Sequence, residues 1–208
     1  MIRPFSHVVT LATALPEPDF ARLVSLAAHD LRTPLATVHG FARTLLASPE
    51  LPDPVPRYLG MIDQASVQLS EILDLLGLAA RIEGGRYDPV LREADSLALA
   101  VAAAEAGGEA LSASGTGAQV AVDVDAVVRA LSDLAVAALR HGVQEAVELR
   151  VAGADVRILP VTAEAAGVVL GEDLKDLGAA VAVKLVRALG GAVALDGEAL
   201  VVTLPQSQ

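Results

Sequence analysis

Two long stretches in which apolar residues recur every three or four positions constrain the fold of this chain most. The first runs from Phe20 to about Leu46 and the second from Tyr58 to Ile82, a spacing that is typical of amphipathic helices. Between them, the segment ASPELPDPVP at residues 47–56 contains four prolines and predicts a loop. The glycines of EGG at residues 83–85 end the second stretch. The sequence therefore predicts a hairpin of two helices, each about 40 Å long.

An isolated hairpin cannot bury an apolar stripe on both of its helices. It must either pack on the rest of the chain or pair with a second copy to form a four-helix bundle. We favour the bundle, and hence a homodimer, because the segment that follows the hairpin has the pattern of a self-contained domain.

After the hairpin, helical and strand patterns alternate. We predict helices at residues 91–106, 125–142 and 174–191, a loop at 107–119, and strand hairpins at 146–161 and 192–205. Helices packed on one face of a mixed sheet would satisfy this order. The predicted fold class is α+β, with an N-terminal extension (residues 1–19), a helical hairpin (20–84) and a small α/β sandwich (85–208).

Composition and charge exclude several function classes. The chain of 208 residues has a net charge of −11 and only two lysines, which argues against binding to nucleic acid or to an anionic membrane surface. It has no cysteine, so it can have neither disulfides nor a thiolate metal site. Its N-terminal apolar run is interrupted by Pro16 and Pro18 and is shorter than the roughly 20 residues that span a bilayer. We expect a soluble, cytoplasmic protein.

His29 is the candidate reactive residue of the first helix. At about 100° per residue it lies about 160° from Leu31, so it points away from the apolar stripe. Asp30 is adjacent, Thr33 lies one turn on, and Pro34 follows. Because Pro34 leaves the carbonyl of Asp30 without its helical partner, we expect the helix to bend there. An exposed imidazole beside a carboxylate is a candidate nucleophile.

The segment HDLRTPLATVHGFARTLL at residues 29–46 resembles the phosphoacceptor box of bacterial sensor histidine kinases. In that family, an H-[ED]-[LI]-[RK]-[TN]-P-L run opens the dimerisation helix, and residues 29–35 match it without a gap. The segments DVDAVVRALSDLAVAALRHG and DLGAAVAVKLVRALGG resemble two helices of the family's ATP-binding domain, which has the GHKL ATPase fold. The resemblance spans residues 20–205.

The resemblance implies a role for each residue of the box. His29 would be the phosphoacceptor, and Asp30 would be the general base or hydrogen-bond partner of its imidazole. Arg32 and Pro34 would belong to the face on which a partner docks, together with Thr33. The other histidines (His7, His39 and His141) are interpreted as bystanders, with His141 in the last turn of its helix, where a positive charge is favourable.

The residues that hold ATP in the family are missing from this chain. Ala137 stands where the family has the asparagine that holds Mg²⁺, and Asp133 replaces the preceding asparagine. Asp176 replaces a glycine that approaches the nucleotide, although Gly178 remains. The D-x-G-x-G turn is absent, and only residues 166–175 remain for a lid. We therefore predict a degenerate ATPase-like domain with no ATP, no cofactor and no metal site of its own.

These observations support a histidine phosphotransfer protein that exchanges phosphoryl groups between His29 and receiver-domain aspartates. Its partners would be response-regulator receivers, which would bring the Mg²⁺. A second interpretation is a phosphatase of phosphorylated receivers that uses His29, Asp30 and Thr33. A third is a non-catalytic pseudokinase that regulates by binding, and the last is an active kinase with an unusual nucleotide site.

Overall fold

The computed structural model describes residues 17–47 and 51–206. Two long helices, α1 (Glu17–Leu46) and α2 (Val55–Glu83), contact each other along a hairpin, which confirms the predicted pair. Helix α1 continues through Pro34, so the proline does not end it. Within the described residues, no helix is both long and apolar enough to cross a membrane. The predicted N-terminal extension is described only from Glu17, and His7 lies outside the described residues.

The contact between α1 and α2 is made largely by small side chains. Ala28 and Ala42 are buried on α1, as are Gly77 and Ala80 on α2. A Cβ atom added to Gly77 would lie 4.0 Å from the Cβ of Ala28, so the two helices approach closely there. Leu73 on α2 is buried as well. Many larger apolar side chains of the hairpin are exposed: Leu31, Val38, Phe41 and Leu45 on α1, and Val55, Tyr58, Met61, Ile62, Val67, Leu69 and Ile72 on α2.

The α/β part begins after α2 and is built on a five-stranded mixed sheet. Its strands are β2 (Leu111–Gly117), β4 (Val147–Gly153), β5 (Asp155–Leu159), β6 (Ala192–Asp196) and β7 (Ala199–Thr203). They lie in the order β2-β4-β5-β7-β6, with β2 parallel to β4 and every other pair antiparallel. Two further strands, β1 (Arg92–Asp95) and β3 (Gln119–Val122), form a small antiparallel sheet of their own.

Helices α3 (Ser96–Gly107), α4 (Val124–His141) and α6 (Leu177–Ala188) pack against the five-stranded sheet, and a short helix, α5 (Ala163–Val169), contacts α4 and α6. The buried side chains of the core between helices and sheet are aliphatic, and the half-buried Tyr87 packs against them. The core includes the fully buried side chains of Leu131 and Leu134 on α4, Leu149 and Ile158 on the sheet, and Leu185 on α6. The predicted α+β class, with a helical hairpin followed by an α/β sandwich, is confirmed.

Two local predictions in the α/β part were wrong. The predicted helix at residues 91–106 begins only at Ser96, because Arg92–Asp95 pairs with β3 and Asp95 caps α3 by accepting from the backbone N–H of Leu97 at 2.9 Å. The predicted loop at 107–119 contains β2. At Gly115, with φ of +119°, a Cβ atom would lie 2.0 Å from the carbonyl oxygen of Val151 on β4. The glycines that favoured a loop thus allow β2 to pair closely with its neighbour.

Candidate functional site

His29 is exposed on α1 and has a carboxylate beside it, as predicted from the sequence. Its side chain is 75% exposed, and Nδ1 lies 3.2 Å from Oδ1 of Asp30. When Nδ1–H donates to this carboxylate, Nε2 is the ring nitrogen that keeps a lone pair. In that tautomer the arrangement presents Nε2 as a nucleophile on an open helix surface.

The neighbours of His29 form a shallow depression of about 490 Å³ on one face of α1. It is lined by His29, Arg32, Thr33, Ala36 and Thr37, which recur at three- and four-residue spacing and therefore share a helix face. The structure thus places His29, Arg32 and Thr33 together, whereas Pro34 is exposed but does not line the depression.

Arg32 also ties the two helices of the hairpin together. Its Nη2 donates to Oδ1 of Asp74 on α2 at 2.5 Å, and both side chains are about half exposed. The contact holds the guanidinium at the edge of the depression around His29. Asp74 was missed in the sequence analysis because a contact between residues 42 positions apart has no local signal.

A second cluster lies where α2, α4 and the N-terminus of α6 meet. A cavity of about 320 Å³ is lined there by Asp133, Asp176 and Gly178, among others. The carboxyl group of Asp133 lies against Gly178, since a Cβ atom added to that glycine would be 3.1 Å from Cγ of Asp133. Ala137 is fully buried in the adjoining core. The structure therefore brings together three of the four residues singled out in the sequence.

Asp176 is held by several donors at the N-terminus of α6. Its Oδ1 accepts from the backbone N–H of Ala179 at 3.1 Å, as an N-cap does. Its Oδ2 lies 3.2 Å from Nη1 of Arg140 and 3.3 Å from Nε2 of His141, and the Asp176 side chain is only 11% exposed. Two basic side chains at this end of α4 thus already contact a carboxylate of the chain itself.

The pairing of Arg140 and His141 with Asp176 was not predicted. His141 lies in the last turn of its helix, as predicted from the sequence, but its carboxylate partner was not predicted. The sequence did offer an indication of this contact, because two basic residues end the segment that forms α4 and an acidic residue precedes the segment that forms α6. His39 likewise contacts a carboxylate, with Nδ1 2.9 Å from Oδ1 of Asp63 on α2.

Burial raises the pKa of Asp133 to about 6. Repulsion by Asp176 and Glu71 adds to this shift, while attraction to Arg129 and Arg140 opposes it. The folded protein therefore holds the proton of Asp133 more tightly than the unfolded chain does. The resulting stabilisation is fully present below about pH 4 and is lost as the pH rises through about 6.

We expect Asp133→Asn, which has the same size and no charge, to remove this pH dependence. Between about pH 4 and about pH 7 the wild type should lose on the order of 2 kcal/mol more unfolding free energy than the variant. Urea denaturation of both proteins at the two pH values measures the difference. Equal pH dependence in the two proteins would contradict the role of Asp133.

Comparison with known proteins agrees with the geometry of the hairpin. Residues 21–85 match the model of the His Kinase A (phospho-acceptor) domain family. No curated protein matches the chain.

Among solved structures, full-length ShkA in complex with AMPPNP aligns with a TM-score of 0.63 and 21% identity, over 90% of this chain. The chain spans 47% of the length of that protein. The Acinetobacter baumannii histidine kinase AdeS aligns with a TM-score of 0.56 and 19% identity, over 86% of this chain and 98% of its own. Residues 21–85 are therefore similar to the His Kinase A (phospho-acceptor) domain family, and together with the α/β part they have the fold seen in ShkA and in the histidine kinase AdeS.

Proposed function

We propose that this chain is a histidine phosphotransfer protein of a two-component phosphorelay, which passes phosphoryl groups between His29 and receiver aspartates without using ATP. The observation that carries the proposal is the contrast between its two sites. His29, with Asp30 beside it, is an exposed nucleophile on a hairpin that matches the phospho-acceptor domain family. In contrast, the carboxylate of Asp176 contacts Arg140 and His141 at the end of α4.

In the proposed reaction, Nε2 of His29 attacks the phosphorus atom of a receiver's aspartyl phosphate. The N–P bond forms as the P–O bond to the aspartate breaks, and the receiver's carboxylate leaves with the electron pair. Asp30, 3.2 Å from Nδ1, stabilises the positive charge that the ring then carries. Delivery to a second receiver is the same step in reverse. The receiver is expected to supply Mg²⁺, which neutralises charge on the phosphoryl oxygens.

The residues of the α4–α6 cluster do not fit an ATP–Mg²⁺ complex. A triphosphate needs oxygen ligands for its metal and free donors for its phosphates. The side chain of Ala137 offers no oxygen and is fully buried. Asp133 and Asp176 place two carboxyl groups in the cavity, and that of Asp176 caps the start of α6 and contacts Arg140. ShkA was solved in complex with AMPPNP. In this chain the residues of the cluster support a different role for the same fold, in which the α/β part is a docking surface for a partner protein.

The exposed apolar surface of the hairpin supports a homodimer. Phe41 is 66% exposed on α1, and Met61 is 59% exposed on α2. Covering each such side chain is worth about 1.5–3 kcal/mol. Pairing of two hairpins into a four-helix bundle would cover this surface while leaving His29, on the polar face of α1, accessible to a receiver.

Hydrolysis of a phosphorylated receiver is a second candidate function, because Thr33 lines the same depression as His29. In the phosphatase pattern the threonine orients a water molecule.

We expect Thr33→Ala to slow hydrolysis of a phosphorylated receiver by on the order of 100-fold and to change transfer to His29 by less than about threefold. Phosphate release and label on the histidine, followed in the same reaction, measure the two effects separately. Equal losses in both would contradict this division of roles, and Thr37→Ala on the same face is the matched control.

The proposed function is tested by supplying the phosphoryl group from a receiver. Receiver domains of the same genome, charged beforehand with radiolabelled acetyl phosphate, are mixed with the full chain. We expect acid-labile, alkali-stable label to appear on the chain within minutes from at least one receiver and to move on to a second, uncharged one. Absence of label from every charged receiver would overturn the proposal.

A further inference from the structure

Among residues 17–47 and 51–206, no strand pairs with the outer edge of β2 in the five-stranded sheet. In the part of the chain that the structure describes, β2 pairs with β4 alone, in parallel register over Leu111–Gly117. An edge strand presents a row of backbone N–H and C=O groups that a further strand can pair with, and proteins usually protect such edges with lysine or proline. The sequence of β2, LSASGTG, contains neither.

A groove of about 440 Å³ runs beside this edge, between β2 and α3. Its apolar lining includes Val101, which is 38% exposed, and Leu111. Its rim carries two exposed carboxylates, Glu105 and Glu109, and no basic side chain lines it. We call this surface the β2 groove; it combines an open strand edge, an apolar floor and negative charge.

We propose that the β2 groove binds an extended segment of a partner protein, which adds to the sheet as a further strand beside β2. Because side chains two residues apart in a strand lie on the same face, one face of this segment would carry an apolar residue for the floor. A lysine or arginine two residues away on that face would pair with Glu105 or Glu109. Main-chain pairing provides the affinity and the pockets provide the specificity, as in other strand additions. This interaction is independent of phosphoryl transfer at His29.

The probe is a fluorescein-labelled peptide, Lys-Thr-Val-Thr-Lys-Thr-Val, whose binding to the full chain is followed by fluorescence anisotropy. We expect Glu105→Lys combined with Glu109→Lys to weaken binding at least about tenfold. The matched control, Glu145→Lys combined with Glu172→Lys, reverses two exposed charges outside the groove and should change binding less than about twofold. Both double variants should melt like the wild type, because all four glutamates are exposed.

Backbone methylation of the peptide separates strand pairing from charge attraction. In an added strand, the N–H groups of alternate residues face β2 and the remaining ones face away from it. One version of the peptide is N-methylated on the first set of residues, and the other version on the second set. We expect one version to lose binding and the other to retain it. No binding of the parent peptide, or equal behaviour of the two methylated versions, would overturn the proposal. Sedimentation velocity compares the self-association of the wild type and the Glu105→Lys, Glu109→Lys variant. If the peptide does not bind and the variant self-associates differently, the proposal is also overturned, and the edge is assigned to a second copy of the chain.

Discussion

Replacing His29 by alanine is expected to abolish the transfer of label from a charged receiver, by at least about 1000-fold in initial rate. The N–P bond needs a ring nitrogen with a free lone pair that a receiver can reach, and the His29 side chain is 75% exposed. The other described histidines are poorer acceptors. His39 is 33% exposed and faces Asp63, and His141 is 24% exposed and contacts Asp176. Quench-flow or manual time courses, with alkali-stable label counted on the gel, measure the rate.

Two control variants make this result specific to His29. His39 lies on the same helix, and the His39→Ala variant should retain transfer although it loses the contact with Asp63. Asp30→Asn keeps a hydrogen-bond acceptor but removes the charge, and it should slow transfer by on the order of tenfold to 100-fold. Substitution of an exposed side chain changes stability by less than about 0.5 kcal/mol, so circular dichroism melting should be unchanged in His29→Ala. Full transfer by His29→Ala would show that the acceptor is another residue.

The elements that local pattern specifies were predictable from the sequence. The hairpin helices, α4 and α6 each carry an apolar stripe of sufficient length, and the turn at Asp196–Gly197 joins β6 to β7 as expected. The position of His29 followed from its angle on the helix alone. In each case the periodicity of a single segment indicates the type of element and which of its faces is apolar, so no knowledge of the rest of the chain is needed.

Features that depend on distant partners were not predictable in this way. Strand β2 has the composition of a loop and becomes a strand only because β4, about 36 residues later, pairs with it in register. The contacts of Arg32 with Asp74 and of Arg140 with Asp176 join residues 42 and 36 positions apart. The sequence analysis identified Asp176 as a departure from the family's glycine, but its contacts became visible only once α4 and α6 were placed side by side.

With ATP and Mg²⁺ as the donor, we expect no detectable label on His29. The measured quantity is the ratio between the initial labelling rate from ATP and that from a charged receiver. At about 1 mM ATP the rate should be at least about 1000-fold below that from a charged receiver, because Ala137 provides no ligand for the metal and a metal at the phosphates is worth several kcal/mol of transition-state stabilisation. The carboxylate of Asp176 contacts Arg140 and His141 and caps α6. A phosphate group that binds there would have to displace this side chain.

Substitution of Asp176 tests that reason directly. Asp176→Gly should free Arg140 and His141 and allow weak binding of inorganic pyrophosphate, measurable by isothermal titration. It should still give no label from ATP, because Ala137 provides no metal ligand and is fully buried. Asp88→Gly, which removes an exposed carboxylate that does not line this cavity, is the matched control and should bind no better than the wild type. Label from ATP on the wild-type chain that is lost in His29→Ala would instead identify an active kinase, whose metal must then be held without an oxygen ligand at position 137.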